Sequence, residues 1–102
     1  MSVQALVDGY KLVLADATGP SADVSVAAGA SANVDLAVAA GPAKVLAILG
    51  LQSVSGLPSG VVLAGVSYPD VNTVRLTVFN PTSAAITVSA NSVTATVLAK
   101  AV

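Results

Sequence analysis

The stretch Val71–Val88, VNTVRLTVFNPTSAAITV, alternates apolar and polar residues, breaks at Asn80-Pro81 and then resumes. A period of two puts Val74, Leu76 and Val78 on one side of an extended chain and Arg75, Thr77 and Phe79 on the other. A helix would scatter those positions around its circumference, so the pattern predicts a strand, a turn and a second strand.

The rest of the chain follows the same grammar. Val3 to Ala15 predicts an opening strand or strand pair, with Asp8-Gly9 as a tight turn between Gln4–Val7 and Tyr10–Ala15. Thr18-Gly19-Pro20-Ser21 is a break. Val24 and Val26, then Ala28-Gly29-Ala30, then Val34, Leu36 and Val38 read as a hairpin. Alanine favours helix, but Gly41-Pro42 ends any helical turn begun at Ala37 to Ala40, and the period of two prevails over propensity. Lys44 to Leu51 is nearly continuously apolar, which predicts a strand buried on both faces, in the sandwich or in a subunit contact. Ser55-Gly56-Leu57-Pro58-Ser59-Gly60 is the longest loop signal. Val61 to Ser67 predicts a strand with Gly65 as a bulge, followed by a turn at Tyr68-Pro69-Asp70. Ala85 to Ser89 and Asn91 to Lys100 complete the set, the latter turning Val93, Ala95, Val97 and Ala99 to one side. About eight such strands, separated by Gly, Pro, Asn and Asp turns, predict a single all-β domain over residues 1–102, an antiparallel β-sandwich or jelly roll.

The chain contains no His, Cys, Trp or Glu. Without histidine as base or a Ser-x-x-Lys pattern, its many hydroxyls have no visible activating partner, so an enzyme is not expected. The five carboxylates, Asp8, Asp16, Asp23, Asp35 and Asp70, form no ligand loop, and four of them lie at or beside predicted turns. Turn and edge roles are expected of them rather than metal binding or acid–base work. Lys44, at the start of the most apolar stretch, is expected to guard a strand edge rather than to act as a nucleophile. Gly29 and Gly56–Gly60 lack the spacing and the strand-to-helix context of phosphate loops.

Charge narrows the partners. Only 9% of residues are charged, with a net charge of −1, and Lys11, Lys44, Arg75 and Lys100 are scattered, so nucleic acid is not an expected ligand. The mean hydropathy of +0.87 is high, yet the most apolar run, Ala43 to Leu51, is interrupted by Lys44 and Gly50 and is far shorter than the ~20 residues of a spanning helix. MSVQALVDGYKL lacks the basic start and apolar core of a signal peptide, so a soluble protein made in the cytoplasm is expected, without a membrane partner. A soluble chain with so few charges must expose weakly polar or apolar surface, which points to assembly.

Leu57-Pro58-Ser59-Gly60-Val61-Val62, then Val66-Ser67-Tyr68-Pro69-Asp70-Val71, and on through Val74-Arg75-Leu76-Thr77-Val78-Phe79-Asn80-Pro81-Thr82 to Ile86-Thr87, resembles the second half of small virion proteins of tailed bacteriophages, the capsid decoration or cement proteins. The resemblance covers about half the chain; the first half is only loosely similar, with Gly41-Pro42-Ala43-Lys44 where a Gly-Asp turn would stand. It implies a compact sandwich or jelly roll, commonly a homotrimer, seated on the head shell against the major capsid protein, with no cofactor and no metal. The protein's place would be the capsid surface of a virion. Candidate contacts are Leu57, Pro58, Tyr68, Arg75 and Phe79, the bulkier groups in loops or on the strand face opposite Val74–Val78. Two other roles fit the residues: another virion subunit, such as a tail or baseplate accessory, and a carbohydrate or cell-surface binding module. The second needs exposed aromatics or a metal, and Tyr10, Tyr68 and Phe79 are the aromatics available.

Overall fold

The computed structural model describes residues 11–39 and 44–102. These form eight antiparallel strands and no helix: β1 (Lys11–Gly19), β2 (Val24–Val26), β3 (Ser31–Ala39), β4 (Val45–Ser55), β5 (Val62–Asp70), β6 (Thr73–Phe79), β7 (Ile86–Val88) and β8 (Val93–Ala101). The all-β architecture anticipated from alternation is the one observed. The Asp8-Gly9 turn lies outside the described residues.

Six strands make one sheet in the order β4-β8-β1-β3-β6-β5, and β2 pairs with β7 in a second. β1 pairs with β8 at nine positions, and β3 with β6 at seven, but β1 meets β3 at only Asp16, Ala17 and Thr18. The large sheet therefore creases along this short seam. Its two halves, β4-β8-β1 and β3-β6-β5, turn their inner faces into one core containing Ala15 and Ala17 of β1, Val34 and Leu36 of β3, Val74, Leu76 and Val78 of β6, and Val93, Ala95 and Val97 of β8. The β2–β7 sheet adds Val26 and Val88 to the same core. Burying a Val or Leu side chain fully contributes about 1.5–3 kcal/mol, and these period-two positions supply most of that area.

Several local readings are corrected by the structure. Val24–Val26 and Ser31–Ala39 do not form a hairpin: the turn at Ala27–Ala30 exists, but it sends β2 to β7 and β3 to β1 and β6. Alternation specifies which side chains face inward, and both strands face the same core from different sheets. Tyr68-Pro69-Asp70 belongs to β5, and the turn falls at Val71-Asn72, where the Asn72 N–H donates to Asp70 Oδ1 at 2.7 Å. The break expected over Thr18-Gly19-Pro20-Ser21 is present: β1 runs to Gly19 and stops at Pro20, which lacks the N–H needed to continue the ladder.

The largest correction is β4. It is an edge strand whose one ladder partner among the described residues is β8, and of its residues only Val45 is buried, while Leu49 is 52% exposed. Its apolar run has a different cause from two-sided burial. Three register shifts, between Val45 and Ala47, Ile48 and Gly50, and Leu51 and Ser53, each insert one extra residue opposite β8. Val45, Ile48, Leu51 and Val54 consequently sit opposite Ala101, Ala99, Val97 and Ala95, the inward residues of β8. The inward period of β4 is three, and Leu46, Leu49 and Gln52 are the bulged residues. The bulge expected at Gly65 falls one residue earlier, at Ala64, between Leu63 opposite Val78 and Gly65 opposite Thr77, and a second register shift lies between Ser67 and Asp70.

The β4–β5 connection is held by glycine. Gly56, at φ +88, lies against the Ser92 carbonyl, and a Cβ there would collide with that backbone oxygen. Gly29, at φ +69, has open space around its missing Cβ. Gly56→Ala should therefore cost at least ~3 kcal/mol, and Gly29→Ala only about 1–2 kcal/mol, in urea denaturation. Equal costs at both sites would contradict the close approach at Ser92.

Candidate interaction surface

The chemistry of this protein is built at one buried polar corner and on two exposed regions. Asn80, directly after β6, is fully buried, and both ends of its amide are used. Nδ2 donates to the carbonyls of Val26 at 3.0 Å and Ala84 at 2.7 Å, while Oδ1 accepts from the Thr82 N–H at 3.0 Å and the Thr82 hydroxyl at 2.6 Å. Its main chain is also engaged: the Gly29 N–H donates to its carbonyl and its own N–H donates to Ala30. The Asn-Pro-Thr spacing marks this as a turn whose side chain replaces backbone partners, because Asn readily bonds the backbone two residues on. Its burial, and its hold on β2, were not foreseen from the sequence, since no local pattern reports contact with a strand so far away along the chain.

The outer face of β3–β6 carries cross-strand polar pairs. Asp35 stands opposite Arg75, which donates through Nε at 2.9 Å and Nη2 at 3.1 Å to the two carboxylate oxygens. Thr77 donates to Asn33 at 3.0 Å one step along. The hydrogen bonds from Arg75, opposed by burial and aided by its charge, hold the Asp35 carboxyl below its ordinary pKa. The same pairing raises the already high pKa of Arg75. Asp23 accepts from the Ala90 N–H and Asp70 from Asn72, which are the turn roles expected of them. Asp16, expected beside a turn, lies within β1, with a long 3.4 Å hydrogen bond from Thr96. Among the described residues no group of three or more potential metal-ligating side chains comes together.

The five candidate contact residues do not converge on one surface. Leu57 is half-buried and packs on the core, with Pro58 beside it in the β4–β5 connection. Arg75 and Phe79 share the outer face of β6, Arg75 committed to Asp35 and Phe79 half-buried between Ser31 and Val62 in register. Tyr68, near the end of β5, reaches β4, where its hydroxyl accepts from the Leu51 N–H at 3.0 Å. It thus bridges the two edges of the large sheet.

Apolar exposure lies elsewhere. On the outer face of the β4-β8-β1 half, Leu12 and Leu14 are exposed, Leu14 at 68%, with Leu98 opposite Leu14 and the bulged Leu49 flanking it on β4. On the other half, β5 is exposed along almost its whole length, including Val62, Leu63 and Val66. An open cleft of about 300 Å³ lies where β1 leaves β3, lined by Thr18, Ser21, Asp35, Ala37, Thr73 and Asn91. It offers hydroxyls, an amide and one carboxylate, but no aromatic ring to stack on a sugar. Neither a protein-family model, nor a curated protein, nor a solved structure matches the chain.

Two expected outcomes follow from these contacts. Asn80→Ala should lower stability by about 3 kcal/mol in chemical denaturation, because buried carbonyls lose their donor; a loss below ~1 kcal/mol would show that the corner is dispensable. For Asp35 the folded-state pKa is depressed, so its stabilising contribution is present above the ordinary carboxylate pKa of about 4 and is lost as pH falls through the lower folded value. The pair is exposed, so the effect is small and screened by salt. Asp35→Asn should remove that acid-limb component from melting temperatures measured against pH while leaving the fold intact, and an unchanged acid limb would argue against it.

Proposed function

We propose that this protein is a structural virion subunit, a capsid decoration module that stabilises a phage head shell by burying apolar surface against the major capsid protein and against copies of itself. The observation that carries the reading is the group of exposed leucines Leu12, Leu14 and Leu49 around the half-buried Leu98, with Lys100 opposite Leu12, on a chain with 9% charged residues. Monomeric soluble proteins rarely leave contiguous apolar area of this kind uncovered. Each 100 Å² of apolar area removed from water contributes about 2.5 kcal/mol, so a shell lattice presenting many such sites gains stability without any catalytic group. The folded β-domain has little chain entropy left to lose on docking. The resemblance of the Leu57–Thr87 stretch to cement proteins supports the head surface as the location, and the small, strand-built domain suits a plug between larger subunits.

Docking of this kind is apolar and should be weakly dependent on salt. In co-sedimentation with expanded empty capsids, the protein should pellet at saturating stoichiometry, at both 0.05 and 0.5 M salt as order-of-magnitude limits of about a tenfold range. Leu14→Lys should reduce capsid binding at least about tenfold while leaving the melting temperature unchanged, since the side chain faces solvent in the free protein. A protein that stays in the supernatant under all conditions would exclude the decoration role.

A further inference from the structure

β4 and β5 are the two ends of the large sheet, and the crease at β1–β3 brings them within reach of each other along one side of the core. Among the described residues no ladder joins them. The mouth between them is closed at two places. At one end residues 56–61 cross it, pinned where Gly56 meets the Ser92 carbonyl and where Leu57 packs on the core. Further along, the Tyr68 hydroxyl accepts from the Leu51 N–H at 3.0 Å and stands in for a strand partner on that side of β4.

The two sides of the mouth are held unequally. On β4, Val45 is buried, and Ile48, Leu51 and Val54 pack against the core. On β5 no residue is buried, and Leu63 and Val66, which stand opposite the buried Val78 and Leu76, are themselves 40% and 37% exposed. Its ladder to β6 is interrupted twice, between Leu63 and Gly65 and between Ser67 and Asp70. β6, by contrast, is held to β3 at seven positions and by the Arg75–Asp35 and Thr77–Asn33 bonds. A strand with exposed ladder bonds and little buried apolar area opens at lower free energy than the core around it.

We propose that β5 is a strap latched to β4 by Tyr68, and that it releases from β6 as a unit smaller than the whole domain. It hinges at the Val71-Asn72 turn and at residues 56–61, and its release uncovers the inner side chains Leu51 and Val54 on β4 and Leu76 and Val78 on β6. Bringing those four into water is unfavourable, which keeps the closed form dominant. The latch is one hydrogen bond between neutral groups, which shifts the opening equilibrium by a factor of about two to ten. It therefore tunes the release without locking it. The strap is independent of what the protein binds.

Residue-resolved amide hydrogen exchange on the unaltered protein should show the Leu51 amide and the β5–β6 ladder amides opening together, at lower free energy than the β1–β8 ladder. Tyr68→Phe keeps the ring and removes the acceptor. It should speed exchange at Leu51 and along β5–β6 about two- to tenfold and leave β1–β8 unchanged. Asp35→Asn, which loosens a pair on the outer face of β3 and β6, should not alter Leu51. Circular dichroism melts establish that the variants fold, and should Tyr68→Phe fail to fold, the unaltered protein decides. The proposal is overturned by β5 amides as slow as those of β8, by Leu51 exchanging independently of β5, by equal acceleration at every amide in Tyr68→Phe, by no acceleration at Leu51 in that variant, or by the same acceleration in Asp35→Asn.

Discussion

The second layer of this domain depends on the side chain of Asn80. β2 and β7 contain three residues each, and an isolated pair of strands that short is not stable in water. They nevertheless bury Val26 and Val88 over the core. What fixes them is one amide that donates to Val26 in β2 and to Ala84 just before β7, while holding Thr82 in the intervening loop. A buried amide satisfied at both ends rigidifies because leaving either end unpaired is costly. The same residue anchors the Ala27–Ala30 turn through its backbone, so the exit of β6, the entry to β3 and the small sheet all meet there.

The core this corner closes is made of small residues. Leu36 and Leu76 are its largest fully buried apolar side chains, and the inward face of β8 alternates valine with alanine. Small side chains let the two halves of the creased sheet approach closely, and they allow strict alternation to carry the design on β3, β6 and β8. On those strands the sequence was legible: Val34 and Leu36, Val74, Leu76 and Val78, and Val93, Ala95 and Val97 all face inward as their spacing indicates.

Where legibility failed, the cause was a change of period or a change of partner. β4 keeps its inward residues every third position because three bulges stretch it beside β8, and a stretch with period three whose bulged residues include two leucines looks continuously apolar. Composition alone cannot separate that from two-sided burial. β2 and β3 alternate as a hairpin would, yet alternation specifies a face and leaves the pairing partner open. The candidate contacts drawn from bulk and loop position met the same limit. Leu57 packs on the core, Arg75 is engaged by Asp35, and Tyr68 bridges two edges, because a large side chain in a loop is as useful for closing a fold as for binding a partner.

The low charge and the bulged edge strands belong to one physical account. A soluble protein usually protects an edge with lysine, and this chain has none between Lys44 and Lys100. Its edges are interrupted without charge instead, by three register shifts on β4 and two on β5 and by the Tyr68 hydroxyl on the Leu51 N–H. Charge repulsion would hold every surface apart indiscriminately, whereas bulges act only where they stand. A chain that carries little charge and interrupts its edge strands by bulges retains a limited set of sticky surfaces, here the leucine face of β1 and β8. Finite assembly requires such a restriction, because the number and direction of the open surfaces, rather than their total apolar area, decide whether subunits close into a particle or continue into an aggregate.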